Sequence, residues 1–275
     1  SASSSAAVAA DFARLEPFLQ ATAAARLARQ QGAVLDVETW ASILGTLRQN
    51  VSNMSPQDVA ATCNAVAKLG LSSRSGAASS REVQQRKSEL FLTLADRLAS
   101  PGTAQTLAPQ ELARAASGLA LSKSVPSSHN VFSRLSEAAV STVEDFEADE
   151  AVQIVNAFAK LRLGAGESKL LETFASQLQG WIGEFYPKEL AIVANAYARA
   201  GAAPAVCEGL FGALSDRVLQ CLGELNAQDV ANLSNALARL DAPGGQASQT
   251  LLVQLAELAQ KKLSEMEPQH LAAIS

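Results

Sequence analysis

The chain has 275 residues, of which 48% are hydrophobic and only 5% are aromatic. Its 22 lysines and arginines are outnumbered by 27 aspartates and glutamates, and the net charge of −5 argues against a protein that coats nucleic acid or anionic membrane with general positive charge. Three cysteines without a Cys-x-x-Cys pair indicate neither a disulfide framework nor a zinc site, and no apolar run is long enough to predict membrane insertion.

The chain begins with residues 1–15, which are rich in Ser and Ala and are predicted to be a flexible lead-in. A repeated pattern then occupies residues 16–266 in six copies, and a seventh copy begins in residues 267–275 and is cut short. The copies start at residues 16, 55, 108, 147, 186, 226 and 267, so one period of about 39 residues fits every gap except the second.

Each copy predicts a helical hairpin. The first helix opens with a Pro or small residue and an acid in its first turn, and apolar residues such as Val59, Cys63 and Val66 follow at helical spacing. A Gly, Ser or Pro break precedes a second amphipathic run. Since one hairpin cannot bury its apolar faces alone, we predict an all-α, right-handed α-solenoid, with tightly packed Ala-rich first helices and a bulkier layer of second helices that includes Trp40 and Trp181.

The one long gap predicts an insertion loop at about residues 71–89, where Ser and Gly are frequent. Its cations make it locally basic, which suits contact with RNA or an acidic partner but also suits an ordinary solvated loop. These cations are Arg74, Arg81, Arg86 and Lys87.

An asparagine recurs at one register of the first helices, although Asn is unfavourable in the middle of a helix. Two interpretations remain open: a row of amides that faces a nucleic acid or peptide, and a structural ladder of hydrogen bonds between adjacent repeats. The row consists of Asn64, Asn156, Asn195 and Asn235, with Ala25 and Ser117 in the weaker copies.

A basic row follows the asparagines near the end of each first helix. One charge per repeat suits a phosphate backbone, but acids in the first turn and bases in the last turn are also what the helix dipole favours. The bases are Arg29, Lys68, Lys160, Arg199 and Arg239, with Leu121 interrupting the row and Lys123 close by. The acids are Asp58, Glu111, Glu150, Glu189 and Asp229.

A third register varies between copies, as it does in modular RNA readers that place differing polar residues at one position per repeat. It holds Thr22, Ala61, Arg114, Gln153, Ile192 and Asn232, of which Arg114, Gln153 and Asn232 are candidate RNA contacts. Catalytic motifs are not found, and the cysteines are interpreted as packing thiols, so we expect no enzyme, no cofactor, no metal and no small-molecule substrate.

The pattern P-x-[DE]-[VL]-A-x-x-x-N-A-[FYLV]-A-[KR]-[LA] begins at Pro56 and Pro187 and, with Ala in place of Pro, at Ala227. The copy that begins at Ala148 has Ala in place of Pro and also has Ala-Val in place of [VL]-A. The pattern resembles the degenerate organellar helical repeats of octotricopeptide and heptatricopeptide repeat proteins and of the arrays that precede RAP domains in FAST-kinase-like proteins. The resemblance covers nearly the whole chain from Glu16. It implies an organellar RNA-binding protein, either an RNA maturation or translation factor or a part of a mitochondrial ribosome.

The chain departs from this pattern in lacking a Pro-Pro-Pro-Glu-Trp signature and a RAP domain, and in its acidity. Both departures favour a structural component within a larger assembly. The leading hypothesis is therefore a mitochondrial ribonucleoprotein component, with the ribosome as the favoured assembly, that contacts ribosomal RNA and neighbouring protein subunits. The alternatives are a plastid location, a protein scaffold in another organellar complex, and a free RNA-processing or translation factor.

Overall fold

A computed structural model describes residues 2–29, 35–68, 81–161, 165–241 and 244–262. These residues contain thirteen α-helices, five short 3₁₀ turns and no strand, so the described part of the chain is all-helical, as predicted. None of the helices in these ranges has the length and hydropathy that a membrane span needs. The chain divides into two compact units, Ser1–Ala139 and Val140–Ser275.

The first unit contains a pair of helix layers. Helices α2, α4 and α6 pack in sequence as one layer, and α1, α3 and α5 pack as the other. The division between the units lies within α7. The helices are α1 Ala2–Ala13, α2 Pro17–Arg29, α3 Val37–Asn50, α4 Pro56–Ala67, α5 Arg81–Ala99, α6 Pro109–Ser122 and α7 Val131–Ser141.

The second unit repeats this arrangement, with α8, α10 and α12 in one layer and α9, α11 and α13 in the other. Consecutive hairpins thus pack side by side within each unit, while the handedness of the stack and its 39-residue period remain predictions. The helices are α8 Ala148–Leu161, α9 Ala165–Trp181, α10 Pro187–Ala200, α11 Pro204–Gln220, α12 Ala227–Arg239 and α13 Gly245–Lys261.

Small residues bring the first helices close together. Ala60 on α4 and Ala191 and Ala194 on α10 are at most 1% exposed. On α6, a Cβ added to Gly118 would overlap the carbonyl carbon of Cys63 and lie 2.7 Å from the backbone nitrogen of Asn64. The backbones of α4 and α6 therefore approach more closely than any larger residue at position 118 permits.

The second helices bury larger side chains, among them Phe91, Phe174 and Phe211. The ring of Phe174 meets that of Phe146 edge to face, with 5.0 Å between centroids. Trp40 is buried as predicted, but Trp181 is partly exposed because it is the last residue of α9, where the chain leaves the layer through a 3₁₀ turn.

A connector of the same conformation but of different sequence precedes each of the first helices α4, α6, α8, α10 and α12. A 3₁₀ turn is followed by a buried apolar residue in extended conformation and then by the residue that caps the helix. The apolar residue and the fourth helical residue, for example Phe185 and Leu190, are both buried, at the two positions of a hydrophobic staple. The turns are Val51–Asn53, Ala104–Thr106, Val143–Asp145, Ile182–Glu184 and Leu222–Glu224.

Two segments that were predicted to be irregular contain helices. The N-terminal lead-in contains α1, which packs on α3 and buries Phe12. Residues 81–89 of the predicted insertion loop belong to α5, because Val83 and Leu90 continue the buried stripe of that helix while Arg81, Glu82 and Arg86 are exposed. The rest of the predicted loop, and the truncated copy at 267–275, lie outside the described residues.

We expect Gly118→Ala to lower the unfolding temperature, because the added methyl group meets backbone atoms of α4 that cannot rotate away. Overpacking of this kind costs about 1–3 kcal/mol, which corresponds to a decrease of about 3–10 °C in thermal unfolding followed by circular dichroism. The matched control is Gly212→Ala in the middle of α11, where no atom lies within 4 Å of the new Cβ. That change should stabilise the helix by about 0.5–1 kcal/mol. An unchanged unfolding temperature for Gly118→Ala would contradict the close approach.

Candidate nucleic-acid interface

The three registers predicted separately lie on one solvent-facing stripe of each first helix. On α8 they hold Gln153, Asn156 and Lys160, which are spaced i, i+3 and i+7 and therefore follow one side of the helix. Gln153 and Asn156 are partly exposed and Lys160 is exposed, whereas the adjacent Val155 and Phe158 are buried. The variable, amide and basic positions thus form a single surface.

The next two first helices of this unit repeat the stripe, with Arg239 exposed like Lys160 and Arg199 partly exposed. Because α10 packs between α8 and α12, the three stripes lie side by side. We call these nine residues the amide–basic face. Its members are Gln153, Asn156 and Lys160 on α8, Ile192, Asn195 and Arg199 on α10, and Asn232, Asn235 and Arg239 on α12.

The first unit carries a less regular version of this stripe. Lys68 caps the end of α4, but the corresponding residue of α6 is Leu121, which is 37% exposed, and the nearby Lys123 has a left-handed backbone with φ of 54°. The stripes are Ala61, Asn64 and Lys68 on α4 and Arg114, Ser117 and Leu121 on α6. On α2, Thr22 is exposed, and the side chains of Ala25 and Arg29 lie outside the description.

Among the described residues, the recurring asparagines do not form the hydrogen-bonded ladder that is one interpretation of their register. Asn64, Asn156, Asn195 and Asn235 are all partly exposed. None of their side-chain amides has a hydrogen-bond partner among the described residues. The ladder fails because the backbone groups of the surrounding helices are already paired within those helices, and the amides face solvent instead.

The acid row has a structural role at the helix starts. At α10, the backbone N–H of Tyr186 donates to Oε2 of Glu189 at 2.9 Å, and at α4 the Ser55 hydroxyl and Asp58 exchange hydrogen bonds. The same backbone-to-acid contact recurs at α6, α8 and α12, with the acceptors Glu111 at 2.8 Å, Glu150 at 3.0 Å and Asp229 at 3.2 Å. These acids satisfy N–H groups that would otherwise lack a partner.

The cations of the basic row interact favourably with the helix dipoles, and two of them, Lys160 and Arg199, repel each other. Lys160, Arg199 and Arg239 lie in the last turns of their helices, where the dipole favours cations. Lys160 is exposed as a residue, but partial desolvation of its ammonium group lowers its pKa, and the positive charge of Arg199 lowers it further. Neither Lys160 nor Arg239 forms an ion pair with any residue in the described ranges. The face therefore holds positive charge that a bound anion would stabilise.

The predicted basic loop does not exist as a loop over its described part, because Arg81, Arg86 and Lys87 belong to α5. Arg86 lies 4.0 Å from Glu82 on the same helix. The ammonium group of Lys87 donates to the carbonyl of Ala67 at 3.4 Å, so it serves the end of α4, and burial lowers its pKa. Arg74 lies outside the described residues.

Two exposed residues near this face were missed. Lys188 lies four residues before Ile192 and extends the stripe of α10, and Gln228 does the same on α12, where it donates to Asn232 at 3.0 Å. The signal was present in the repeat, since the register one turn before the variable position is exposed in each described copy from α4 onward. Tyr186, which is 72% exposed, stands where other copies have Ser, Ala, Glu or Asn.

The three cysteines lie within the helix packing. Cys63, Cys207 and Cys221 are free and buried, and burial raises the pKa of Cys207 to about 11. Such a thiol is a poor nucleophile. Among the described ranges, no group of three or more His, Cys, Asp or Glu side chains is placed to hold a metal ion.

The described residues thus define an all-helical protein of packed hairpins whose first helices carry an exposed amide and basic surface. Residues 51–274 match the family model of the RNA-editing substrate-binding complex 6 protein, and the chain belongs to that family. The matched range includes α4 and α6 and the whole amide–basic face. No curated protein matches the chain. The narrower octotricopeptide or RAP-type resemblance remains a prediction.

We expect Glu189→Ala to destabilise the protein by about 1 kcal/mol, because the Tyr186 N–H loses its acceptor and the start of α10 loses a negative charge. Thermal unfolding should show a decrease of about 2–4 °C. The control is Glu184→Ala, which removes an exposed acid that has no hydrogen bond or ion pair with a described residue and should leave the midpoint unchanged. Equal midpoints for the two variants would show that the acid row does not stabilise the helix starts.

Proposed function

We propose that the protein is a non-catalytic, RNA-binding component of an RNA-editing substrate-binding complex. Family membership over residues 51–274 carries this proposal. The amide–basic face supports it, because one cation per first helix is suited to successive phosphates and the uncommitted amides are suited to polar ligands. The net charge of −5 is consistent with a protein that works inside an assembly and binds RNA locally.

The hypotheses about the assembly, the cellular location and the competing scaffold function rest on different observations. The family description names an editing complex, so it favours that assembly over the mitochondrial ribosome and over ribosomal RNA as the ligand. A mitochondrial location remains our proposal on the strength of the repeat resemblance, with a plastid as the alternative. A scaffold that binds only proteins is the competing function, and the exposed Tyr186 is the kind of residue such a surface uses.

The first experiment is sedimentation of the tagged protein from organelle lysate, with and without ribonuclease. We expect a multiprotein particle that shrinks or dissociates on digestion, because RNA is part of what holds it. Co-sedimentation with ribosomal subunits would instead favour the ribosome. A particle of unchanged size after digestion would favour the protein scaffold and count against the proposal.

The second experiment reverses the basic row. K160E/R199E/R239E should reduce RNA retention at least tenfold in a binding assay with the purified chain, because three attractive contacts become repulsive. The control is R134E/K169E/K261E, which makes the same charge change at three exposed positions of the second helices α7, α9 and α13. Equal loss of binding by both triple variants would mean that net charge, and not the face, controls binding.

The lowered pKa of Lys160 predicts a pH dependence. A lysine whose folded pKa lies below 10.5 loses its charge at lower pH than an ordinary lysine, so RNA affinity should fall as pH rises from 7 through that lowered pKa. K160R should abolish this fall, since arginine stays protonated. The assay is fluorescence anisotropy with oligoadenylate, whose bases do not titrate in this range. Parallel pH curves for wild type and K160R would exclude Lys160 from the contact.

A further inference from the structure

We infer that the amide–basic face holds RNA as a single strand, with phosphates along Lys160, Arg199 and Arg239 and base edges over Asn156, Asn195 and Asn235, and with little preference for sequence. The inference rests on the proposed function, because it specifies the form of RNA and the part each row takes. It concerns the second unit only.

The amide row is suited to bases more than to phosphates. Each carboxamide offers two N–H donors and a carbonyl acceptor, and those of Asn156, Asn195 and Asn235 are not used by any described residue. A phosphate has only acceptors and would leave the carbonyl unused. Base edges offer both donors and acceptors, and their Watson–Crick edges are open only when the strand is unpaired.

The spacing of the rows agrees with this assignment. The cation follows the asparagine by four residues on each helix, which is about 6 Å along the axis. Neighbouring helices of a packed layer lie about 8–10 Å apart, so the two rows run parallel across α8, α10 and α12. A strand that crosses the helices with its phosphates on the basic row therefore projects its bases toward the amides. The Watson–Crick edges of a duplex are paired with each other and cannot do so.

The electrostatics of the basic row favour an anion between its members. Lys160 is partly desolvated and is repelled by Arg199 on the next helix. A phosphate placed near both charges replaces that repulsion with two attractions. The helix dipoles alone do not favour an anion at this place, because each dipole acts only on the cation at the end of its own helix.

The face should discriminate only weakly between RNA sequences, because few of its positions vary from helix to helix. The same side chain occupies the amide register on all three helices, and an asparagine can pair with any base edge by turning its amide. The variable register offers Gln153 and Asn232 at the two outer helices but Ile192 at the central one, which has no hydrogen-bonding group. None of the nine residues of the face is aromatic, so base stacking, the usual sequence-tolerant contact, is not available on it.

The test is fluorescence anisotropy of the full chain with oligoadenylate, oligouridylate and an RNA duplex of equal length, over a range of salt concentrations. Wild type should bind both single strands within a few-fold of each other and the duplex at least tenfold more weakly. K160Q/R199Q/R239Q should reduce the slope of log affinity against log salt by about 2, because three phosphate contacts contribute about 0.7 each.

N156A/N195A/N235A should weaken binding to both single strands at least tenfold while leaving the salt slope unchanged, because the lost contacts carry no charge. The control is N53A/N130A, which removes two exposed asparagines outside the face. Circular dichroism must show that each variant unfolds within a few degrees of wild type; a loss of affinity in an intact fold then reports the contact itself.

Two results would overturn the inference while leaving the proposed function in place. One is wild-type affinity in the asparagine variant, and the other is equal or tighter binding of the duplex. A preference for one homopolymer of a hundredfold or more would refute the sequence tolerance. Failure of the wild-type chain to bind any of the three RNAs would count against the proposed function itself.

Discussion

An acid at the third position of a first helix accepts a hydrogen bond from the backbone N–H just before that helix, and this contact recurs at α6, α8, α10 and α12. With the buried apolar residue of the preceding connector, it fixes both where the helix begins and how it is rotated. The exposed stripe stands at fixed distances from this acid: Glu189 is followed by Ile192, Asn195 and Arg199 after three, six and ten residues. The same rotation in each copy is the reason that equivalent side chains form rows.

Close packing of the first helices turns these stripes into a continuous surface within a unit. Ala157 on α8, Ala194 on α10 and Ala231 on α12 are at most 2% exposed, and such small residues let the neighbouring helices approach closely. In the first unit, Gly118 permits the same closeness beside Asn64, although the stripe there is interrupted by Leu121. The two units therefore share a packing rule but differ in what they expose, and only the second carries an uninterrupted basic row among its described helices.

Much of this organisation is visible in the sequence because a repeat reports the same physical environment several times. The hairpins, the small-residue layer and the three registers all follow from comparing copies. The predictions fail where a segment has no equivalent in other copies, or where the comparison of copies does not decide between two structures. Residues 81–89 are unique to one copy, and their charges obscured the apolar spacing of Val83 and Leu90. The recurring asparagine indicated that its register is constrained, but not whether the side chain points inward or outward. An asparagine that forms hydrogen bonds between helices and one that is exposed for binding give the same sequence pattern. The exposed side of a helix is known only when its neighbours are placed.

The separation of the capping acids from the exposed variable register has an evolutionary consequence. Gln153, Ile192 and Asn232 are partly exposed, and they lie three residues from the acids that fix their helices. A mutation at such a position changes what the surface offers without altering how the helix starts or packs. Folding and recognition therefore depend on different registers of the repeat. A lineage can therefore duplicate a hairpin whole, keep its foldability, and diversify the new copy by single substitutions with little loss of stability.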